Sequence, residues 1–255
     1  TENQHRQIHK IIAEYCAAAY LTRRFFDPAD SLTFQKCIPV IAPNSTMRDE
    51  LRGLLGWIAS LGNKVVQERA IEIDAYSVLA NGAPSLLEHS SKRLLLRKLK
   101  EIESKDPYFR RGDFGRRFSI AGFFTQEVVN DIKPLLVPGS DGHLRDLLLE
   151  LLAGASVLGL LTVELRNLVL APEEAANARY VANSYLLEIA DYDHYTDLEL
   201  LISEASSTSL GLAAETIEKL GPGNFDRPYI AKFLKVCARL YPGRKELRHS
   251  AGSRY

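Results

Sequence analysis

The feature that most constrains this chain is a run of amphipathic segments with short breaks and no alternating β-run of convincing length. From Gln4 to Leu21 the apolar positions Ile8, Ile11, Ile12, Tyr15, Cys16, Ala19 and Tyr20 recur at three- and four-residue spacing, one face of a helix. Asp27-Pro28 ends that unit. A second helix is expected from a polar cap at Asn44 or Ser45, through Met47, Leu51, Leu54, Leu55 and Ile58, to Gly62. Helical patterns follow over Val65 to Glu72, Ala75 to Leu79 and Ser91 to Glu103, and Lys105 to Gly115 reads as an ordered loop. From Thr125 onward the breaks fall at Pro138-Gly139, Pro172, Asp191 to Asp193, Ser206-Ser207 and Gly221-Pro222-Gly223. Connections that short make each helix pack antiparallel on its predecessor.

The expected fold is therefore all-α, a stack of helical hairpins. Leu148-Leu149-Glu150-Leu151, Leu186-Leu187-Glu188-Ile189 and Thr216-Ile217-Glu218-Lys219-Leu220 echo one another, as do Val163-Glu164-Leu165 and Leu198-Glu199-Leu200. Such spacing suits a degenerate HEAT-like α-solenoid. Two regions are expected, 1–90 and a helical-repeat domain over 91–255.

With 255 residues and 46% hydrophobic content, the chain can bury a full core. Lys and Arg balance Asp and Glu to a formal net charge of zero, so the global basic signature of nucleic-acid binders is missing. Charge is nevertheless segregated: the middle is basic, Asp141 to Glu204 is acidic, and Arg227 to Arg254 is basic again. Cys16, Cys37 and Cys237 form no C-x-x-C pair and no even framework, which predicts reduced, buried thiols and a cytoplasmic setting. The longest apolar stretch, Ala153 to Val163, is too short to span a bilayer, so no membrane association is expected. The chain opens on Thr1, from which an excised or processed product with an upstream domain is expected.

Constellations that would carry chemistry are weak. His5 and His9 lie four apart on one helix, but Arg6 stands where a zincin needs glutamate and no third ligand is evident. Asp191, Asp193, Asp197 and Glu199 offer oxygen ligands without the glycine or terminal glutamate of an EF-hand, and Asp191 or Asp193 reads better as a helix N-cap. Ser206, Ser207 and Ser209 lack a G-x-S-x-G elbow. Gly112-Asp113-Phe114-Gly115 is not a phosphate-binding loop, and no Walker motif is present. No catalytic residue, metal site or cofactor is expected, although an enzyme whose residues meet only in the fold would centre on Asp191, Asp193 and His194. Trp57, with Leu54, Ile58 and Leu61, reads as a core anchor.

One segment has binding character. Tyr108, Phe109, Arg110, Arg111, Phe114, Arg116, Arg117 and Phe118 interleave aromatics with arginines, a composition that stacks bases and pairs phosphates. With Arg97 on the basic helix before it, this makes 92–118 the candidate surface for nucleic acid or another partner. The plainer reading has the phenylalanines plugging the core while the arginines pair with acidic neighbours.

His9-Lys10-Ile11-Ile12-Ala13-Glu14-Tyr15-Cys16-Ala17-Ala18-Ala19-Tyr20-Leu21 resembles the H-x4-E-Y-L-A-A-x-x-L signature that follows the P-loop module in NACHT-type STAND ATPases, with Cys16 in place of the usual leucine. Leu51 to Leu61, with Gly56-Trp57-Ile58-Ala59, is similar to the tryptophan-bearing helix that follows it in bacterial members. The resemblance covers about the first 90 residues by motif and the remainder by architecture. It implies a winged-helix end followed by a helical-repeat sensor that recognises a protein partner or trigger ligand. It also implies oligomerisation through an absent ATPase domain, a nucleotide-sensing role at His9, and a part in anti-phage defence. The chain itself, lacking a P-loop, is expected to be a non-catalytic scaffold.

Overall fold

The computed structural model describes residues 2–110, 122–139 and 143–240, with side chains from residue 10 onward. Among these the chain is all-α: twelve α-helices with short 3-10 turns and no strand. It divides into two compact units, Thr1–Leu135 with Asp141–Val157, and Leu136–Ser140 with Leu158–Tyr255. Residue 90, where a boundary was expected, lies inside the first.

In the first unit, α1 (Glu2–Phe25) is followed by α2 (Phe34–Ile41), which the sequence pattern did not reveal because Pro39 sits inside it. Thr33 caps α2 by accepting the Lys36 N–H at 3.4 Å. The cap expected at Asn44 or Ser45 is not one: both residues have positive φ, 53° and 63°, and form a tight turn. The helix begins later, as α3 (Arg52–Leu61), behind a 3-10 turn at Asp49–Leu51. α4 (Lys64–Asn81) starts on Asn63, whose side chain accepts the Val66 N–H. It is interrupted at Asp74 (φ −156°, ψ 92°), whose carboxylate accepts the Ser77 N–H at 2.9 Å and hydroxyl at 2.5 Å. Asp74 thus caps the second half of α4, and the separate patterns at Val65–Glu72 and Ala75–Leu79 reflect this break. α5 (His89–Lys105), α6 (Gln126–Ile132) and α7 (His143–Leu151) complete the unit. α3 packs between α1 and α4, α4 on α5, and α5 on α6. Leu55, Ile58, Ala70, Ile71, Val78, Leu95, Leu99 and Ile132 form the core.

The second unit holds α8 (Thr162–Leu170), α9 (Ala176–Leu186), α10 (Tyr195–Glu204), α11 (Ser207–Leu220) and α12 (Arg227–Leu240). α8 packs on α9 and α10 on α11, two successive hairpins consistent with a helical-repeat fold. The leucine echoes have a structural basis here. Val163–Leu165 and Leu198–Leu200 lie near the starts of α8 and α10, while 186–189 and 216–220 close α9 and α11. Ser206 accepts from Ser209 N–H, and the Ser209 hydroxyl accepts from Ser206 N–H, so these serines form a capping box.

A buried arginine ties the two hairpins together. Arg179 on α9 is 1% exposed; its Nε donates to the Val169 carbonyl at 2.9 Å and its terminal nitrogens to both Glu204 carboxylate oxygens at 2.9 and 2.6 Å. Asn183, one turn on, donates to Glu215 and accepts from the Thr216 hydroxyl, both at 3.2 Å. The hydrogen bonds from Arg179 hold the Glu204 carboxyl below its ordinary range. Because its folded value is depressed, this interaction stabilises above the unfolded value near 4.5 and is lost as pH falls through the folded value. Arg179→Ala therefore costs about 3 kcal/mol at neutral pH, since Glu204 is left without its partner. Guanidinium unfolding measured against pH should also show a shallower loss of stability below pH 4.5 in this variant than in the parent.

Candidate protein-binding face

The side of α1 that meets α3 is made of small and polar residues. Ala18 is fully buried, Thr22 is buried with its hydroxyl donating to the Ala18 carbonyl at 2.8 Å, and Glu14 lies across Gly53 of α3. A Cβ on Gly53 would overlap the Glu14 carboxylate, so this glycine makes room for the Glu14 side chain between the two helices. Phe25 at the end of α1 packs against Phe34, ring centres 5.9 Å apart.

Much of the apolar face that the spacing marks on α1 therefore points outward. Ile11 is 65% exposed, Ile12 56% and Tyr20 60%, and Cys16 is exposed beside them. The expectation of three buried thiols is corrected with it: Cys37 and Cys237 are half-buried, and burial pushes both thiols above their ordinary range. Tyr15, 43% exposed, bridges the two sides, its ring edge-on to Trp57 with centres 5.2 Å apart. Trp57 is half-buried, and its indole N–H is buried without a hydrogen-bond partner among the described residues. Large apolar side chains on neighbouring turns of one exposed helix are what a protein-binding surface requires. The packed side instead carries the small buried residues Ala18 and Thr22, as close helix approach needs small side chains, and spacing alone does not say which side that is.

The other candidate residues separate. His9 lies on α1, and His5 with it, but their side chains are outside the described residues. Arg97 is exposed on α5 and Tyr108 is 51% exposed in the turn after it, edge-on to His143 at 5.1 Å. Arg110 is a correction to the surface reading. It is fully buried, donates to Glu150 at 3.2 and 2.8 Å, and its backbone N–H donates to His143 Nδ1 at 3.2 Å. Burial works against the charge of Arg110, but the hydrogen bonds to Glu150, the Glu150 charge and a hydrogen bond with Tyr76 outweigh it and raise its pKa. Arg111, Arg116 and Arg117, with Phe114 and Phe118, lie outside the described residues.

Asp191 and Asp193 serve the turn that leads into α10. Asp191 has a left-handed backbone (φ 60°), and Asp193 accepts from the Tyr195 N–H at 3.0 Å and the Thr196 hydroxyl at 3.4 Å, opening α10. Buried Asp197 instead gathers the polar groups: it accepts from Arg166 Nε of α8 at 2.7 Å and from the Tyr192 hydroxyl. Burial and then the Asp197 hydrogen bond raise the Tyr192 phenol well above its ordinary range, and burial lowers His194 against the pull of Asp197 and Asp193. The phenol stays protonated and the carboxylate is fully engaged, so the cluster ties the 187–194 connection to α8. Among the described residues no group of three His, Cys, Asp or Glu is placed to hold a metal ion, and no helix is long and apolar enough to cross a membrane.

No protein-family model, curated protein or solved structure matches the chain.

The orientation of α1 makes a quantitative prediction. Ile12→Asp should change unfolding free energy by no more than about 0.5 kcal/mol, as for an ordinary surface site. Leu55→Ala on α3 should cost about 2–5 kcal/mol, because it empties a fully buried position. Chemical denaturation of the two variants measures both, and a large loss in Ile12→Asp would return that face to the core.

Proposed function

We propose that this chain is a non-catalytic helical scaffold that recognises a protein partner, with the outer face of α1 as its contact surface. The observation that carries the reading is the exposure of Ile11, Ile12 and Tyr20 on a helix whose opposite side is already packed against α3. Desolvating such side chains against a partner is the main source of binding free energy at protein interfaces. The resemblance of 9–21 to the STAND signature supports a narrower form, in which the chain is the regulatory sensor part of a cytoplasmic signalling ATPase, anti-phage defence being the family's usual setting. In that form α1 belongs to the winged-helix region that comes after the nucleotide-binding module, and that module is the partner its apolar face would meet. A trigger ligand would then be read by the helical hairpins that follow.

The alternative, nucleic-acid binding through 92–118, retains exposed Arg97 and Tyr108 but loses Arg110 to its buried pair with Glu150. The two readings separate experimentally. A photo-crosslinking residue at Ile12, introduced into the protein in its native host, should yield a protein adduct absent when the same residue replaces Glu72, an exposed position on α4. Recovery of DNA or RNA instead, falling steeply as salt rises, would overturn the protein-binding reading in favour of the basic segment.

A further inference from the structure

Beside the apolar face of α1 lies a cleft of about 340 Å³, walled by α1, the turn before α3, α3 itself and the second half of α4. Ile11 stands at its α1 wall, so the cleft and the exposed face share a residue. On one side are Lys10 and Glu14, on the floor Gly53, and opposite them Tyr76 and Asn81.

The charges in the cleft are unevenly matched. Arg52 is engaged twice, by Asp49 at 3.1 Å and by Asp74 at 3.8 Å. Glu14 is only 15% exposed, yet its one ionic partner is Lys10 at 3.7 Å, and Lys10 is itself 63% exposed. That separation is too long for a hydrogen bond, and among the described residues the Glu14 carboxylate accepts none. An exposed (i, i+4) pair of this kind is worth little and yields readily to a better donor. With Asp74 included, these charged groups carry one more negative than positive charge. Glu14 and Tyr76 line the same polar cleft, and the Tyr76 ring already meets Phe109 edge-on at 5.6 Å while its side chain is hydrogen-bonded with Arg110. A half-buried carboxylate and an aromatic ring in one cleft fit a planar, delocalised cation, which can donate a forked pair of hydrogen bonds while its face stacks on the ring.

We propose that this cleft receives the guanidinium of an arginine side chain from the protein partner, with Glu14 as the accepting carboxylate and Tyr76 as the stacking surface. The proposal rests on the protein-binding reading of α1 and names the polar anchor that accompanies its apolar contact. Lys10 swings out to solvent as the guanidinium enters, and the desolvated pair replaces a solvated one.

Gly53 offers a variant that removes the site while leaving the helix intact. In Gly53→Ala the new methyl occupies the place of the Glu14 carboxylate, the movable end of a side chain, while alanine favours the helix over glycine. Isothermal titration of the whole chain with N-acetyl-arginine-N-methylamide should give saturable binding in about the millimolar range. The citrulline counterpart, isosteric but uncharged, should bind about tenfold more weakly. Glu14→Gln and Gly53→Ala should each weaken the arginine compound about tenfold, with the thermal midpoint of Gly53→Ala no lower than the parent's. No saturable binding, equal binding of citrulline, or undiminished binding in Gly53→Ala would each overturn the assignment. If the arginine compound fails while a crosslink still forms at Ile12, the cleft is wrong and the protein-binding face stands.

Discussion

The first unit depends on one backbone-to-backbone contact, between Gly56 of α3 and Gly82 at the end of α4. A Cβ on Gly56 would come within 2.7 Å of the Gly82 nitrogen and 2.8 Å of the Asn81 carbonyl carbon, so no other residue fits without moving backbone. Ser60 fixes the contact, donating its hydroxyl to the Gly56 carbonyl at 2.9 Å and accepting the Ala83 N–H at 2.7 Å. Gln67 extends the same stitching, donating to the Gly62 carbonyl and accepting the Glu88 N–H just before α5. With α3 held this closely on α4, the side of α3 left for α1 presents Gly53. Ala18, Thr22 and Glu14, with Tyr15 edge-on to Trp57, then dock α1, and Ile11, Ile12 and Tyr20 are turned outward. The proposed binding face and the cleft beside it both follow from that choice of packing side.

Opposite charges that lie far apart in sequence meet inside each unit. Arg110 finds Glu150, Arg179 finds Glu204, and Arg166 finds Asp197. Such buried or half-buried pairs contribute little net stability over an apolar equivalent, but removing one partner is costly, so they penalise misregistered packing of successive hairpins. The alternating basic and acidic segments of the sequence are partly consumed in this way, which reduces the charge available to steer a partner.

Much of the fold was legible before the structure. Periodicity located most helices, the break at Ser206-Ser207 is a real helix start, and even the break in α4 showed as two patterns flanking Asp74, whereas the cap of α4 at Asn63 was not read from the sequence. Three things were not legible, each for a physical reason. α2 was hidden by Pro39, which the capped Phe34 turn tolerates because α2 is short. The outward face of α1 was hidden because spacing groups residues onto a face without saying which face a partner helix takes. Arg110 was hidden because an arginine beside aromatics reads the same whether it awaits a phosphate or closes on a glutamate forty residues away. Glu14 and Gly53 both fall inside the two motif stretches, yet their meeting depends on the α1–α3 approach and leaves no local trace.

Cys16 supplies the most direct measurement of the central claim, that α1 turns its apolar face to solvent and keeps it available. The thiol lies on that face, whereas Cys37 and Cys237 are half-buried with thiols made less acidic by burial. Alkylation of the native chain, followed residue by residue by mass spectrometry, should modify Cys16 at nearly the rate of an unstructured peptide and well ahead of the other two. Protection of Cys16 equal to or greater than that of Cys37 and Cys237 would show the face to be packed, and would contradict the account.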